Sequence, residues 1–280
     1  MSEAELGKKC RLKVIKQVDF GYFLDGGEEL GELLLPNRYV PNGCVEGKML
    51  DVFIYLDSED RPIATTEKPY VKVGQCAFLK TLATNHAGAF MDWGVSKDLF
   101  VPKAEQRKTM QEGEHHVVYV YVDSTGRIAG SGKLEYFLDE EDHEKHFKKN
   151  QNVSLLIVRK SDMGLIAAID HTHLGLIHNN DALDTIKIGD SINGVIKNIR
   201  KDGKINLKLE NKGGYAKNSL EQEVLAFLKA EGGSSHLSDK ASADEIWQQF
   251  KISKSAYKKL LGKLYKEQKI IIEKNMIRLV

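Results

Sequence analysis

The chain has little of what marks a secreted, membrane-spanning or thiol-metal protein. It holds three cysteines in 280 residues, Cys10, Cys44 and Cys76. An odd number without metal-ligand spacing excludes a disulfide framework and a cysteine zinc site. They read as reduced, inert thiols at or near strand positions. No run approaches the roughly 20 apolar residues of a spanning helix, so no membrane partner is expected. Met1-Ser2-Glu3-Ala4-Glu5 has no apolar signal region, which predicts a soluble cytoplasmic protein. A phosphate-binding glycine loop, a nucleophile elbow and an acidic metal-nuclease cluster are all missing, so no catalytic residue and no cofactor is assigned. His143 and His146 are three apart and could share a helix face. His171 and His173 would share a strand face and approach His178. His171, His173 and His178 have no supporting carboxylate or cysteine spacing, and no metal ligand is assigned in either group.

What is present is a repeat. Asp19-Phe20-Gly21-Tyr22-Phe23-Leu24-Asp25 returns as Ala87-Gly88-Ala89-Phe90-Met91-Asp92, and more faintly as Met163-Gly164-Leu165-Ile166-Ala167-Ala168. Each copy is short, apolar and β-prone, with a glycine near its start. Such a glycine marks a bulge, which would let Phe20 and Phe23 show on one side of a sheet. An apolar step follows each copy: Leu33-Leu34-Leu35-Pro36, Leu99-Phe100-Val101-Pro102 and Leu176-Ile177-His178-Asn179. Next comes a glycine that opens a strand, Gly47, Gly113 or Gly189. A tight turn then leads into a return strand, at Asp57–Arg61, Asp123–Arg127 and Arg200–Lys204. Three such units are repeated domains of the right size for five-stranded barrels.

An aromatic-Gly-x-Phe strand, a Gly-Leu-Ile-His step or its equivalent, a Gly-Asp and a closing hairpin together resemble the S1 RNA-binding domain, a member of the OB-fold class. The resemblance implies RNA held by two strand aromatics and a histidine. On that basis the first repeat offers Phe20 and Phe23 with Leu35 at the histidine position. The second offers Phe90, with Ala87 and Val101 at the other two places. The third offers His178, with Met163 and Ile166 where the aromatics belong.

Net charge runs −4, −2, +3 and +4 over residues 1–66, 67–141, 142–213 and 214–280. A basic carboxyl half suits a polyanion, so phosphate contacts are expected at Arg200, Lys201 and Lys204 and in the last segment. Asp139–Lys149 mixes charges densely and reads as a solvated helix or linker. After Gly214 the periodicity turns helical. Ser219 is placed as the cap of a first helix, Ser242 as the cap of a second over Ala243–Phe250 with Glu245 completing a capping box, and Ser253 as the cap of a third. Residues 269–273 and 276–279 read as a hairpin. Three helices and a wing resemble a winged helix whose third helix carries Lys254, Lys258, Lys259, Lys263 and Lys266.

The predicted fold is therefore mainly β with a C-terminal α+β domain. Three tandem S1-like OB barrels, at 1–66, 67–141 and 142–213, precede a winged helix at 214–280. That order resembles the conserved virulence factor B family. Phe250-Lys251-Ile252-Ser253-Lys254-Ser255-Ala256-Tyr257-Lys258-Lys259 and Leu264-Tyr265-Lys266 are similar to its winged-helix signature. The resemblance implies cytoplasmic RNA binding that regulates gene expression, virulence genes included. Single-stranded RNA is the expected partner, through several weak sites; DNA and ribosome-associated RNA are the other nucleic acids considered. The competing expectation is a DNA-binding transcription regulator led by the winged helix.

Overall fold

The structure, a computed structural model, describes residues 4–182, 185–209, 215–250, 254–273 and 276–280. The chain divides into two units, Met1–Leu209 and Glu210–Val280.

The first unit holds three closed five-stranded barrels. The first comprises β1 (Lys9–Val18), β2 (Gly21–Asp25), a helical turn α1 (Gly27–Leu30), β3 (Glu32–Pro36), β4 (Met49–Leu56) and β5 (Pro62–Thr65). The second comprises β6 (Cys76–Thr84), β7 (Gly88–Asp92), β8 (Leu99–Pro102), β9 (His115–Val122) and β10 (Ile128–Ser131). The third comprises β11 (Asn152–Ser161), β12 (Gly164–Ile169), β13 (His173–His178), β14 (Ser191–Ile199) and β15 (Ile205–Leu209). Each closes in the same order: the first strand pairs with the second and fourth, and the third pairs with the fifth in parallel. Alternation along the strands supplies the cores; in β2, Tyr22 and Leu24 are buried while Phe23 is only half-buried.

Two glycine positions explain why the repeat carries glycine. Gly47, Gly113 and Gly189 have φ of +83°, +84° and +93°, a left-handed region that glycine enters without strain. Each amide there donates to a residue at the bulge of the barrel's first strand: Val14 O, Thr81 O or Ile157 O. The bulges therefore lie in β1, β6 and β11, near Val14, Thr81 and Ile157. They do not fall at Gly21, Gly88 or Gly164, as the sequence suggested. Those glycines answer a close approach instead: a Cβ would stand 2.2, 2.3 and 2.0 Å from Leu35 O, Val101 O and Ile177 O.

The barrels are packed against one another rather than strung on flexible linkers. Phe53, Tyr55 and Ile63 of the first barrel share an apolar cluster with Trp93, Met91 and Val120 of the second. Phe53 and Trp93 meet edge to face at 5.5 Å. The 66–69 connection is part of this seam: Glu67 accepts from Ser96 N and Ser96 Oγ, both at 3.0 Å. Between the second and third barrels, Cys76, Val117, Leu134 and Leu138 bury against Leu156, Ala168 and Leu174. Cys10 and Cys76 are buried, and none of the three cysteines is in a disulfide. Burial pushes the Cys76 thiol up to about 12, consistent with an inert side chain.

Asp139–Lys149, expected as a solvated helix or linker, is a non-helical and largely exposed connection that is pinned at a few points. Asp139 bridges to His173, Glu141 bridges to Lys204, and Asp142 is buried. Asp142 accepts the amides of His146 (2.6 Å) and Phe147 (3.1 Å), and Phe147 packs into the third core. A segment with no apolar periodicity is thus ordered by one buried carboxylate and one phenylalanine.

In the second unit, α2 (Tyr215–Ala230), β16 (Ser234–Ser235), α3 (Ala243–Phe250), α4 (Lys254–Lys266), β17 (Ile270–Ile272) and β18 (Ile277–Leu279) form a winged-helix region. Helix α2 begins at Tyr215, so Ser219 lies within it and does not cap it. Ser242 and Glu245 do form the capping box, with Ser242 N donating to Glu245 Oε2 (2.8 Å) and Glu245 N to Ser242 Oγ (3.2 Å). The expected turn at Lys251-Ile252 and cap at Ser253 lie outside the described residues, as does Asn211–Gly214. The wing has a third strand that sequence patterning missed: β16 pairs with β18. Val224, Leu228, Ile246, Tyr257, Leu261 and Leu264 fill the core. Tyr257 Oη satisfies its burial by donating to Leu237 O at 2.7 Å. No described helix is long and apolar enough to cross a membrane.

Candidate nucleic-acid interface

Phe20 sits in the turn before β2 and is 59% exposed. Phe23 follows on the outward face of β2, and the rings meet edge to face at 6.4 Å. With Leu34, Asp57, Arg61 and Ile63 they line a groove of about 580 Å³. Lys16 Nζ lies 4.8 Å over the Phe23 ring, within cation–π range. Its charge is shared with Glu32 at 2.6 Å. Arg61 is likewise held by Asp57 (2.8 Å) and Glu59 (2.9 Å). Burial alone would raise the Asp57 carboxyl, but hydrogen bonds from the Arg61 amide and guanidinium and the Glu59 amide hold it below the usual range. The groove thus offers apolar and aromatic faces with its cations already paired.

The strand register aligns the three barrels residue by residue. Phe20 O, Ala87 O and Met163 O accept from Asn37 N, Lys103 N and Asn179 N respectively. Phe23, Phe90 and Ile166 pair with Leu34, Phe100 and Leu176. Gly21, Gly88 and Gly164 pair with Pro36, Pro102 and His178. This corrects the sequence alignment by one residue: the counterparts of His178 are Pro36 and Pro102, not Leu35 and Val101. Leu35, Val101 and Ile177 are the equivalent buried positions, each 0% exposed. A one-residue slip moves a side chain to the opposite face of a strand, so a leucine in the core cannot stand for an outward histidine.

In the second barrel Phe90 is half-buried against Phe100, with ring centroids 5.2 Å apart. Phe100 is a neighbour that motif matching overlooked, since the signal is cross-strand register rather than sequence spacing. It lines a 290 Å³ crevice between the first two barrels together with Tyr55, Trp93, Asp98 and Arg127. Burial, reinforced by Asp92, raises the Asp98 carboxyl above its ordinary value. Arg127 is bound to Asp60 of the first barrel at 2.6 Å.

The third barrel has the opposite character. Met163 is 60% exposed where Phe20 stands in the first. His178 is half-buried, with Nε2 3.1 Å from Asn206 Oδ1. In the closing turn Arg200 replaces the aspartate of the other two barrels and pairs with Asp202 at 2.8 Å. Lys201 and Lys204 are exposed and make no ion pair among the described residues. The expected approach of His171 and His173 to His178 does not occur. Asp170 and His171 take φ of +47° and +63° in a turn, and His171 Nδ1 accepts from Cys76 N at 3.1 Å. His173 begins β13 and His178 ends it.

On α4, Lys258 and Lys259 are exposed. Lys254 is half-buried with Nζ 3.5 Å from Lys240 O. Lys263 is turned to structural use: it is bound by the buried Glu221, which raises its pKa, and lies 3.5 Å from Glu267. The accessible charge on this helix is therefore carried by Lys258 and Lys259, with Lys266 at its exposed end.

Family models match the first two barrels and the winged-helix region. The S1 domain family matches residues 6–67 and 73–133, and the CvfB-like winged helix domain matches residues 222–279. The uncharacterized protein YitL of Bacillus subtilis is 26% identical over 274 residues, covering 95% of this chain and 91% of its own. Conserved virulence factor B of Staphylococcus epidermidis is 23% identical over 241 residues, covering 83% of this chain and 80% of its own. A solved multidomain protein with nucleic acid binding domains from Streptococcus pneumoniae is 22% identical, covers 98% of each chain, and superposes with a TM-score of 0.41.

Proposed function

We propose, from the premise that the chain belongs to the conserved virulence factor B family of S1-domain and winged-helix proteins, that it binds single-stranded RNA in the cytoplasm. In this reading it is a non-enzymatic regulator of gene expression. The carrying observation is the exposed Phe20 ring set against the half-buried Phe23 ring over the first barrel's groove. A flat aromatic face in a concave site gains by stacking on an unpaired base, and duplex bases present no free face to it.

The barrels divide the work in this reading. The first supplies aromatic stacking, with its cations neutralised by neighbouring carboxylates. The third supplies charge, through the unpaired Lys201 and Lys204, with His178 at its outward step. The winged helix adds Lys258 and Lys259. Each site is weak alone, and packing the barrels into one unit raises the effective concentration of each site once another is engaged.

The test is a titration of the full chain against single-stranded RNA, duplex RNA and duplex DNA of equal length at two salt concentrations. Single-stranded RNA should bind tightest, with an affinity that falls as salt rises. Equal or tighter binding to duplex DNA would overturn this reading and favour a transcription regulator led by the winged helix.

A further inference from the structure

The strap between the second and third barrels carries a cluster that the RNA-binding reading does not use. Asp142, His146 and His173 place one potential ligand atom each within 4.8 Å of one another. Asp142 and His173 are buried, and the His146 side chain is 49% exposed. His146 Nδ1 and His173 Nε2 face each other at 3.5 Å.

The surrounding hydrogen bonds accommodate the tautomers that metal ligation needs. Thr172 Oγ1 donates to Ile169 O at 3.2 Å, and with its proton there the same oxygen, 3.0 Å from His173 Nδ1, can accept from that nitrogen. His173 Nε2 is then left with its lone pair. His146 Nε2 lies 3.0 Å from Glu144 Oε2, an acceptor, so its proton is there and Nδ1 keeps its lone pair. In that pair of tautomers both facing nitrogens carry lone pairs, and a cation between them would satisfy both. Asp142 adds negative charge at the same place. Each of its oxygens accepts one backbone amide, which orients the carboxylate and leaves further acceptor capacity. Asp139 Oδ2 stands 3.7 Å from His173 Nε2, at the open side.

We propose that Asp142, His146 and His173 form a zinc-type divalent metal site that pins the strap to the third barrel. Zinc–nitrogen bonds of about 2.0–2.1 Å at a tetrahedral angle put two ligand nitrogens about 3.4 Å apart, close to the observed 3.5 Å. Two imidazoles and one carboxylate suit zinc and not magnesium or calcium, which want oxygen ligands. Thr172 and Glu144 supply the outer hydrogen bonds that ligating histidines usually have. The fourth position is left to water or to Asp139.

The test uses the full chain without a histidine tag, stripped with chelator, loaded with excess zinc and desalted. Metal content by mass spectrometry should be about one zinc per chain. Cobalt loading should give tetrahedral absorption bands, and the thermal midpoint should rise with zinc, since a ligand that binds only the folded state stabilises it. His146→Gln, at the exposed ligand, should leave the fold intact and lower zinc retention at least tenfold. His143→Gln, outside the cluster, should retain zinc fully. Excess magnesium should displace nothing. Failure of the native chain to retain zinc would overturn the proposal. So would equal retention by His146→Gln, or histidine resonances showing a shared proton between the two rings that zinc leaves unchanged.

Discussion

Replacing Phe20 by Ala separates stacking from packing. With 59% of its surface exposed, Phe20 buries about two-fifths of itself. Full burial of a phenylalanine is worth about 1.5–3 kcal/mol, so the truncation should cost about 1 kcal/mol of stability. In a unit of this size that is a fall of about 2–4 °C in thermal midpoint. Phe53, at 1% exposure and wedged against Trp93, is the internal contrast: its loss should cost about 3–5 kcal/mol. For binding the order reverses. A base stacked on an aromatic ring is worth about 1–3 kcal/mol, so Phe20→Ala should weaken single-stranded RNA about 5- to 150-fold. Adding Phe23→Ala should weaken it further. Anisotropy titration with labelled RNA and a melting curve on the same preparation read both numbers. Native affinity in Phe20→Ala would refute the stacking role. A melting loss as large as that of Phe53→Ala would show that the ring is core.

Gly164→Ala should destabilise the third barrel by about 1–3 kcal/mol, seen as a lower urea midpoint, because its Cβ would meet Ile177 O at 2.0 Å. Lys258→Glu with Lys259→Glu should leave melting unchanged while weakening RNA binding, and the salt slope should fall by about 0.7 for each phosphate that is no longer neutralised. Lys263→Met should instead lower the thermal midpoint, because it strands the buried Glu221; a melting curve of that variant decides. Asp57 and Asp123 titrate below the usual carboxylate range in their turns. Their contribution to stability is therefore complete above the unfolded value, about 3.9, and disappears as pH falls through the lower folded one. Denaturation at pH 6 and at pH 3 should show Asp57→Asn less stable than the native chain at the higher pH, with the gap narrowing at the lower.

The repeated glycines, the apolar steps and the Asp-to-Arg turns are local signals. They were enough for three barrels and a winged helix, because a strand's period, a hairpin turn and a capping box are each set within a few residues. The exposure of Phe20 and of Lys258 and Lys259 was likewise legible from motif and charge. The place of His178 was not. Its counterpart depends on which residue lies opposite Gly21, Gly88 and Gly164, and cross-strand register is not written in spacing along one strand. Phe100 escaped notice for the same reason. Charge counting could not tell Lys263, bound by Glu221, from Lys259 in solvent, because the carboxylate arrives from another helix. Nor could it show that Arg127 is neutralised by Asp60 of a different barrel. The strap makes the point most sharply: Asp139–Lys149 has the composition of a solvated helix, and only the folded chain brings Asp142 inside and sets His146 against His173. Sequence determined the elements because their causes are local; tertiary structure decided which charges and rings are free, because that depends on partners far away along the chain.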